Sequence, residues 1–189
     1  MLCSFAPRMA IVKSLKEFSH VDSTDWQEAD ITQGIESTLR ILSNELKYKA
    51  EVVRHYAPDL PHIYCQPMQL NQVFMNLLVN AAQAIETFGK IEVSVREVDN
   101  ALEIKVQDSG SGIAPEHLKR IFEPFFTTKP VGKGTGLGLS LSYSIIHRHQ
   151  GQIKVTSEIG KGTCFTLHLP LLTPEMLTDA ENSVRTDLV

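Results

Sequence analysis

Residues 66–85 read QPMQLNQVFMNLLVNAAQAI, a stretch that contains no charged residue. It is about as long as a membrane-spanning helix, but seven amide side chains interrupt it: Gln66, Gln69, Asn71, Gln72, Asn76, Asn80 and Gln83. Amide groups are costly in lipid. The sequence therefore predicts a buried helix of a soluble protein, which begins at Pro67 and ends near Gly89.

The predicted helix has two different faces. Asn76 and Asn80 are four residues apart and share one face, and Gln69, Gln72 and Gln83 extend this polar stripe. The opposite stripe is apolar: Leu70, Val73, Phe74, Leu77, Leu78, Ala81 and Ile85. A solvated face usually carries Lys and Glu, and this one carries neither. Amide oxygens suit a hard cation that stays bound to phosphates and water, so the polar stripe predicts a cation site.

Elements on both sides of this helix indicate the fold class. Apolar spacing predicts three more helices and a short one, at Arg8–Ser19, Thr32–Tyr48, Leu139–His149 and Pro115–Ile121. Alternation predicts strands at Glu51–Tyr56, Ile91–Glu97, Leu102–Val106, Gln152–Ser157 and Thr163–Leu169, the last four forming two hairpins. The pattern predicts an α+β fold, a two-layer sandwich whose mixed, mostly antiparallel sheet has helices on one face.

Glycines concentrate in the second half of the chain, where nine of the eleven lie between Gly110 and Gly162. The stretch Gly134-Thr-Gly-Leu-Gly138-Leu precedes a predicted helix, so its free backbone N–H groups suit phosphate. Taken alone, it is equally consistent with a flexible surface loop. It lacks the glycine spacing of a dinucleotide-binding fingerprint and the Gly-Lys-Ser/Thr of a P-loop.

A second glycine-containing segment, Asp108-Ser-Gly110-Ser-Gly112-Ile113, follows a predicted strand. A carboxylate at the end of a strand can accept a hydrogen bond from an exocyclic amine, such as the amino group of adenine. An Asp-capped turn is the alternative interpretation of the same residues.

Four segments together resemble the catalytic ATP-binding domain of sensor histidine kinases, whose Bergerat fold is shared with DNA gyrase, the ninety-kilodalton chaperone and mismatch-repair ATPases. They are similar to the N, G1, F and G2 boxes, in family order: Asn76–Ala81, Asp108–Gly112, Phe122–Phe126 and Gly134–Gly138. The resemblance implies a catalytic domain over residues 25–170. It also implies the remnant of a second dimerisation helix and its linker over 1–24, and a mobile tail over 171–189.

The resemblance also implies roles for individual residues, with ATP and Mg²⁺ as cofactors. Asn80 would coordinate Mg²⁺ with help from Asn76, and Asp108 would hold the adenine amino group with Thr163 nearby. Phe125 and Phe126 would anchor the lid. The other implied nucleotide contacts are Gln83, Gly110, Gly112, Ile113, Phe126, Lys129, Lys133, Gly134, Thr135, Gly136, Leu137, Gly138 and Leu139.

Two positions bear on the type of enzyme. The family's ATPases carry a general-base Glu four residues before the magnesium Asn, where this chain has Asn76. An amide cannot take a proton at neutral pH, so we expect slow ATP hydrolysis and a γ-phosphate kept for a protein acceptor. Many histidine kinases carry Lys-Tyr where this chain has Gln83-Ala84, and the Asn80–Ala84 run resembles the nitrogen-regulation type. Which cation contacts the phosphates stays open.

The acceptor is expected outside this chain, because none of its seven histidines is followed by an acidic residue. The expected partners are the histidine-bearing dimerisation domain of the same kinase and, after onward transfer, the receiver domain of a response regulator. We expect the chain to bind ATP without phosphorylating itself. Alternatives are a nucleotide-dependent interaction module, and an ATPase or Ser kinase of the same fold.

Charge and cysteine content set further limits. A net charge of -4 gives no electrostatic reason to expect nucleic-acid binding. Cys3, Cys65 and Cys164 have no metal-binding spacing, so we expect free thiols in a reducing compartment, the cytoplasm. We expect no membrane contact by this part of the protein, although its parent can be anchored in a membrane.

Overall fold

The computed structural model describes residues 25–130, 134–173 and 175. Three sequence-based expectations lie outside these residues: the helix at Arg8–Ser19 with the rest of the 1–24 segment, the role of Lys133, and most of the 171–189 tail.

The main sheet has five strands in the order β2-β4-β5-β7-β6. Their bounds are β2 Ala50–Tyr56, β4 Gly89–Val98, β5 Ala101–Asp108, β6 Gln152–Glu158 and β7 Gly162–Pro170. Strands β2 and β4 are parallel, because the chain crosses through a helix between them, and the other pairs are antiparallel. The predicted mixed, mostly antiparallel sheet is confirmed.

Both predicted hairpins are present. Asp99 and Asn100 join β4 to β5 with φ of 50° and 59°. Two successive positive φ values match the twist of antiparallel strands. Gly160, with φ of 77°, lies in the turn between β6 and β7. Asp108 and Thr163 are consequently opposite each other at one end of the sheet.

The helices are α1 Ile31–Ile41, α2 Ser43–Leu46, α3 Pro67–Ala84, α4 Pro115–Leu118 and α5 Gly138–Arg148. Helix α3 packs against α1, α5 and the sheet. Its predicted apolar stripe is buried throughout: Leu70, Val73, Phe74, Leu77, Leu78, Ala81 and the adjoining Ile85. Burying each large apolar side chain contributes about 1.5–3 kcal/mol. No helix in the described part of the chain is long and apolar enough to cross a membrane.

Several predicted element boundaries are wrong. Helix α3 ends at Ala84 rather than near Gly89, because Ile85 is extended and the Ala84 carbonyl accepts from the Ser111 N–H at 2.9 Å. Lys49 Nζ donates to the next carbonyl, Ile85 O, at 2.9 Å. These tertiary partners replace the hydrogen bonds that further helical turns would have made.

The other differences are smaller. The predicted Thr32–Tyr48 helix is divided at Leu42, and the Pro115–Ile121 helix ends at Leu118. Two strands were not predicted: β1 Gln27–Ala29 and β3 Ile63–Cys65 form a separate antiparallel pair. Three residues each are too few for an alternating pattern to be visible.

Next to this strand pair, His149 connects α3 and α5 through two hydrogen bonds, a contact that we call the His149 joint. Its Nδ1–H donates to Ile145 O at 2.8 Å, and its Nε2 accepts from the Gln66 N–H at 3.0 Å. Because a carbonyl only accepts and an amide N–H only donates, these partners fix the neutral tautomer. Trp26 and Tyr64 cover this joint, with the Trp26 ring 4.8 Å from the imidazole and 5.9 Å from the phenol ring. The last turn of α5 is thus attached to the start of α3.

Candidate functional site

The described residues form a cavity of about 550 Å³ between α3, the turn after β5, and the segment that leads into α5. This volume is in the range of small-molecule sites. The wall includes these sequence-predicted residues: Asn76, Asn80, Gln83, Gly112, Ile113, Phe126, Lys129, Gly134, Thr135, Gly136, Gly138, Leu139 and Thr163. The fold therefore brings the four box-like segments together around one cavity.

Three predicted contacts are not on this wall. Leu137 is the residue before α5, and its side chain does not line the cavity. Asp108, which pairs with the wall residue Thr163 in the sheet, and Gly110 do not line the cavity either. Lys133 is outside the described residues.

Asp108 is at the end of β5 and is 5% exposed. Its Oδ1 accepts from the Gly110 N–H at 2.8 Å. Burial raises the pKa of the Asp108 carboxyl above its ordinary value, and the backbone N–H groups of Gly110 and Thr163 counteract only part of this effect. A carboxylate in this position is a strong hydrogen-bond acceptor next to the wall residue Thr163.

Gly110 is required by close packing. A Cβ at this position would lie 2.6 Å from the Ala84 carbonyl oxygen, which is backbone and cannot move aside easily. The turn after Asp108 thus packs directly against the end of α3. This contact sets the distance between the Asp108 side and the Asn80 side of the cavity.

On the α3 side, Asn80 and Gln83 both hold the ammonium group of Lys129. Lys129 Nζ donates to Asn80 Oδ1 at 3.0 Å and to Gln83 Oε1. Burial lowers the pKa of Lys129 below its ordinary value. The predicted magnesium ligand and a predicted phosphate contact are therefore neighbours in the folded chain.

The nitrogen and the oxygen of the Asn76 amide group are both hydrogen-bonded within the protein. Its Nδ2 donates to Gly138 O at 2.9 Å and to Ser142 Oγ at 3.2 Å, and its Oδ1 accepts from Gln72 Nε2 at 3.1 Å. Because a carbonyl oxygen only accepts, the amide nitrogen must face Gly138. Asn76 thereby attaches the first residues of α5 to the middle of α3. Gln69, predicted on the same polar stripe, is buried away from the wall.

The N-terminus of α5 opens into the cavity at Gly138 and Leu139. Within the described residues, no side chain caps this helix, and its first turn has no acidic residue. Uncapped N–H groups and the positive end of the helix dipole attract anions. This end of the cavity suits phosphate groups.

The aromatic pair Phe125–Phe126 behaves differently from the expectation. Phe126 packs against the core, with the Arg120 guanidinium 4.4 Å from its ring centroid. Phe125 is 69% exposed, so its side chain is not packed into the core. Its backbone N–H instead donates to Gly136 O at 2.9 Å, and this bond holds the glycine segment.

The sequence analysis missed eight wall residues: Val79, Ala84, Ser111, His117, Ile121, Thr127, Thr128 and Phe165. Adjacency to the matched boxes could have indicated Ser111, Thr127 and Thr128. Ile121 and Phe165 are apolar residues far apart in the chain, and only the fold brings both to the wall that also contains Ile113. They add apolar surface to the cavity.

These residues fit ATP with Mg²⁺. Apolar wall residues, with the buried Asp108 carboxyl group next to the wall residue Thr163, suit a purine, and an uncapped helix N-terminus with one lysine suits phosphates. Amide oxygens such as those of Asn80 and Gln83 are donors that a hard cation accepts.

Comparison with known proteins agrees with this geometry. The family described as histidine kinase-, DNA gyrase B-, and HSP90-like ATPase matches residues 65–173. Sporulation kinase E of Bacillus subtilis is 41% identical over 148 residues, which are 77% of this chain and 20% of that protein. Sensor histidine kinase ZraS of Escherichia coli is 40% identical over 162 residues, 85% of this chain and 34% of that protein.

The chain spans a fifth to about a third of the length of these curated relatives. Among solved structures, the catalytic domain of histidine kinase ThkA superposes with a TM-score of 0.71 at 28% identity, covering 78% of this chain and 96% of that domain. The chain therefore belongs to the histidine kinase-, DNA gyrase B-, and HSP90-like ATPase family, in which it corresponds to the ATP-binding catalytic domain of a histidine kinase.

Proposed function

We propose that this domain binds ATP with Mg²⁺ and donates the γ-phosphate to a histidine on a dimerisation domain outside this chain. From that histidine, the phosphate passes to an aspartate in the receiver domain of a response regulator. The observation that carries the proposal is the state of Asn76, which occupies the position of the general base in the family's ATPases.

Asn76 cannot activate water for two reasons. Its amide takes no proton at neutral pH, and hydrogen bonds to Gly138, Ser142 and Gln72 already use both of its ends. No carboxylate from the described residues lines the cavity. A γ-phosphate bound here therefore has no base beside it that would direct a water molecule, and it persists until an acceptor side chain approaches.

The remaining residues position the nucleotide. Asn80 is the proposed ligand of Mg²⁺, which neutralises phosphate charge when bound. The Asp108 carboxylate accepts from the adenine amino group, and the first N–H groups of α5 hold phosphate oxygens. In phosphoryl transfer, catalysis comes mainly from such positioning and charge neutralisation.

The proposed partners and location follow from the same reaction. The segments that match are only 34% and 20% of the lengths of these two relatives, so most of each relative lies outside the matched segment. An acceptor hairpin from elsewhere in the same kinase, and a receiver domain, are the partners that this reaction needs. We also propose a cytoplasmic location, which agrees with the free thiols of Cys65 and Cys164.

A transfer assay tests the proposal. The purified chain is incubated with γ-labelled ATP and Mg²⁺, alone and with the isolated dimerisation hairpin of one of the two relatives. We expect acid-labile, base-stable label on the hairpin, none on this chain alone, and little free phosphate. The matched controls are a hairpin that lacks its acceptor histidine, and the Asp108→Ala chain, which should not bind the nucleotide.

Two results would contradict the proposal. ATP turnover at the rates of the family's ATPases would show that Asn76 does not prevent hydrolysis. Label on this chain alone would show that the acceptor is internal. ATP binding without transfer to either hairpin would instead favour the nucleotide-dependent interaction module.

A further inference from the structure

Three polar side chains form a row across one end of the main sheet. Thr163 of β7 is paired with Asp108 of β5 on one side and with Ser157 of β6 on the other. Residues paired in this way project from the same face of a sheet, so the three side chains are neighbours. Thr163 lines the cavity and Ser157 does not. We refer to Asp108, Thr163 and Ser157 as the polar row.

The hydroxyl group of Ser157 makes three hydrogen bonds. Its Oγ accepts from the Ile113 N–H at 2.8 Å, and it lies 2.9 Å from both Gly162 O and Thr163 Oγ1. Because a carbonyl oxygen only accepts, the single hydroxyl hydrogen of Ser157 must go to Gly162 O. The hydrogen in the third bond therefore comes from the Thr163 hydroxyl group.

This direction decides what the polar row can offer to a ligand. The only hydroxyl hydrogen of Thr163 is bound by Ser157, so Thr163 Oγ1 has only lone pairs left for a group in the cavity. The ionised Asp108 carboxylate is also only an acceptor. A base that meets these two residues must bring the hydrogens itself. A 6-amino purine carries donors on its amino group, whereas a 6-oxo purine has an acceptor oxygen at the same place.

Ser157 is not the only group that holds the neighbouring segments together. The Gly160 N–H, in the turn between β6 and β7, donates to Ser111 O at 2.8 Å. A Cβ added at Gly112 would lie 2.2 Å from Glu158 O, so the two segments pack backbone against backbone. These contacts remain when the Ser157 hydroxyl group is removed, so a variant isolates the hydrogen bonds of that group.

We propose that Ser157 is a positioning residue for base specificity: it binds the hydroxyl hydrogen of Thr163, keeps Thr163 as an acceptor, and thereby favours a 6-amino purine over a 6-oxo purine. The proposal rests on the proposed function and deepens it. Ser157 touches no nucleotide and acts through Thr163. Without Ser157, the Thr163 hydroxyl group can rotate and donate to the oxygen of a 6-oxo purine.

The affinities for ATP and inosine triphosphate test this role, measured with Mg²⁺ by competition against a fluorescent adenine nucleotide. Wild type should prefer ATP, and Ser157→Ala should reduce this preference by about three- to tenfold, the range of one neutral hydrogen bond. Ser157→Cys keeps the size but has a weaker donor; it should shift the preference in the same direction, and it decides the question if Ser157→Ala does not fold. Thr156→Ala, at the exposed neighbouring position of β6, is the matched control and should keep the wild-type preference.

A double-mutant cycle shows whether Ser157 acts through Thr163. Thr163→Val removes the hydroxyl group and keeps the shape of the side chain. In this background, adding Ser157→Ala should leave the preference where Thr163→Val alone puts it. Ser157→Thr retains a hydroxyl group and should keep the preference of wild type. A merely structural role of Ser157 would weaken the binding of both nucleotides equally.

The inference is overturned if Ser157→Ala keeps the full preference for ATP, or if it loses both nucleotides equally. An effect of Ser157→Ala that is as large in the Thr163→Val background as in wild type would also overturn it. Each of these outcomes leaves ATP binding by wild type, and so the proposed function, intact. Failure of the wild-type chain to bind ATP would instead contradict the proposed function itself.

Discussion

At the scale of single residues, burial determines what Asp108 can do. It is 5% exposed and accepts from the Gly110 N–H, and it pairs in the sheet with Thr163, which lines the cavity. The sequence predicted an Asp at the end of a strand beside two glycines. The sequence could not predict how deeply the carboxyl group is buried, because its burial depends on the contact between Gly110 and the end of α3.

This burial should make ATP binding sensitive to pH. Burial raises the pKa of Asp108 above the ordinary value of 3.8, and only the ionised form is a full acceptor for the adenine amino group. We expect ATP affinity to fall as the pH is lowered, beginning at a higher pH than for an exposed Asp. Asp108→Asn should bind ATP at least about tenfold more weakly at pH 7 and lose this dependence, as titrations at several pH values would show.

A stability measurement separates binding from folding in this variant. A carboxyl whose pKa is raised by folding destabilises the fold as the pH rises from its unfolded value through its folded value. Asp108→Asn should therefore unfold at neutral pH with a free energy no lower than that of wild type, by urea titration. Exposed Asp59→Asn is the matched control. A binding curve for Asp108→Asn equal to wild type would contradict the assignment.

At the scale of elements, α3 and α5 are joined at two places. Asn76 bonds to Gly138 at the cavity end, and His149 connects Ile145 to Gln66 at the other. The apolar periodicity of both helices was visible in the sequence. Their ends were not visible. Helix α3 ends where the Ser111 N–H donates to Ala84 O and the Lys49 ammonium group donates to Ile85 O, and both donors are distant in sequence.

The His149 joint should make the fold sensitive to acid. Burial lowers the pKa of His149 below its ordinary value of 6.5; the hydrogen bond to Ile145 opposes this effect and the nearby Arg148 adds to it. The unfolded chain then binds more protons than the folded one below about pH 6.5, so stability is lost as the pH falls. Urea titrations of wild type between pH 8 and pH 5 should show this decrease.

Replacing the ring identifies its contribution. His149→Phe leaves the Gln66 N–H without its acceptor, which should cost about 1–3 kcal/mol at pH 8, and should reduce the pH dependence. Exposed His55→Gln should keep both the stability and the pH dependence of wild type. An unchanged slope in His149→Phe would show that another group is responsible.

At the scale of the whole molecule, the cavity is assembled from segments that are far apart in the chain. The described wall takes some of its residues from each of five stretches of the chain: 76–84, 111–113, 117–129, 134–139 and 163–165. The pattern of helices and strands was enough to predict the α+β fold, and the resemblance of four boxes pointed to most of the residues that line the cavity. The presence of Ile121 and Phe165 on the wall depends on strand register and packing, which a linear pattern does not contain.

Because ATP would contact all these segments at once, it should stabilise the whole domain. A ligand at 100 times its Kd adds about 2.7 kcal/mol to the free energy of unfolding. We expect ATP with Mg²⁺ to raise Tm, and ATP without Mg²⁺ to raise it less. Asn80→Ala should remove the difference between the two conditions, whereas Asn44→Ala, an exposed position in α2, should preserve it. A full magnesium effect in Asn80→Ala would place the metal elsewhere.

Trp26 is the only tryptophan in the sequence, and its ring lies against Tyr64 and His149. The protein consequently contains its own optical probe at the far end of the α3–α5 pair. An imidazolium quenches indole emission more than a neutral imidazole does, so the fluorescence intensity of Trp26 should report the protonation state of His149. An acid titration followed by tryptophan emission should therefore monitor the contact of His149 between α3 and α5 in the folded protein, without an added label.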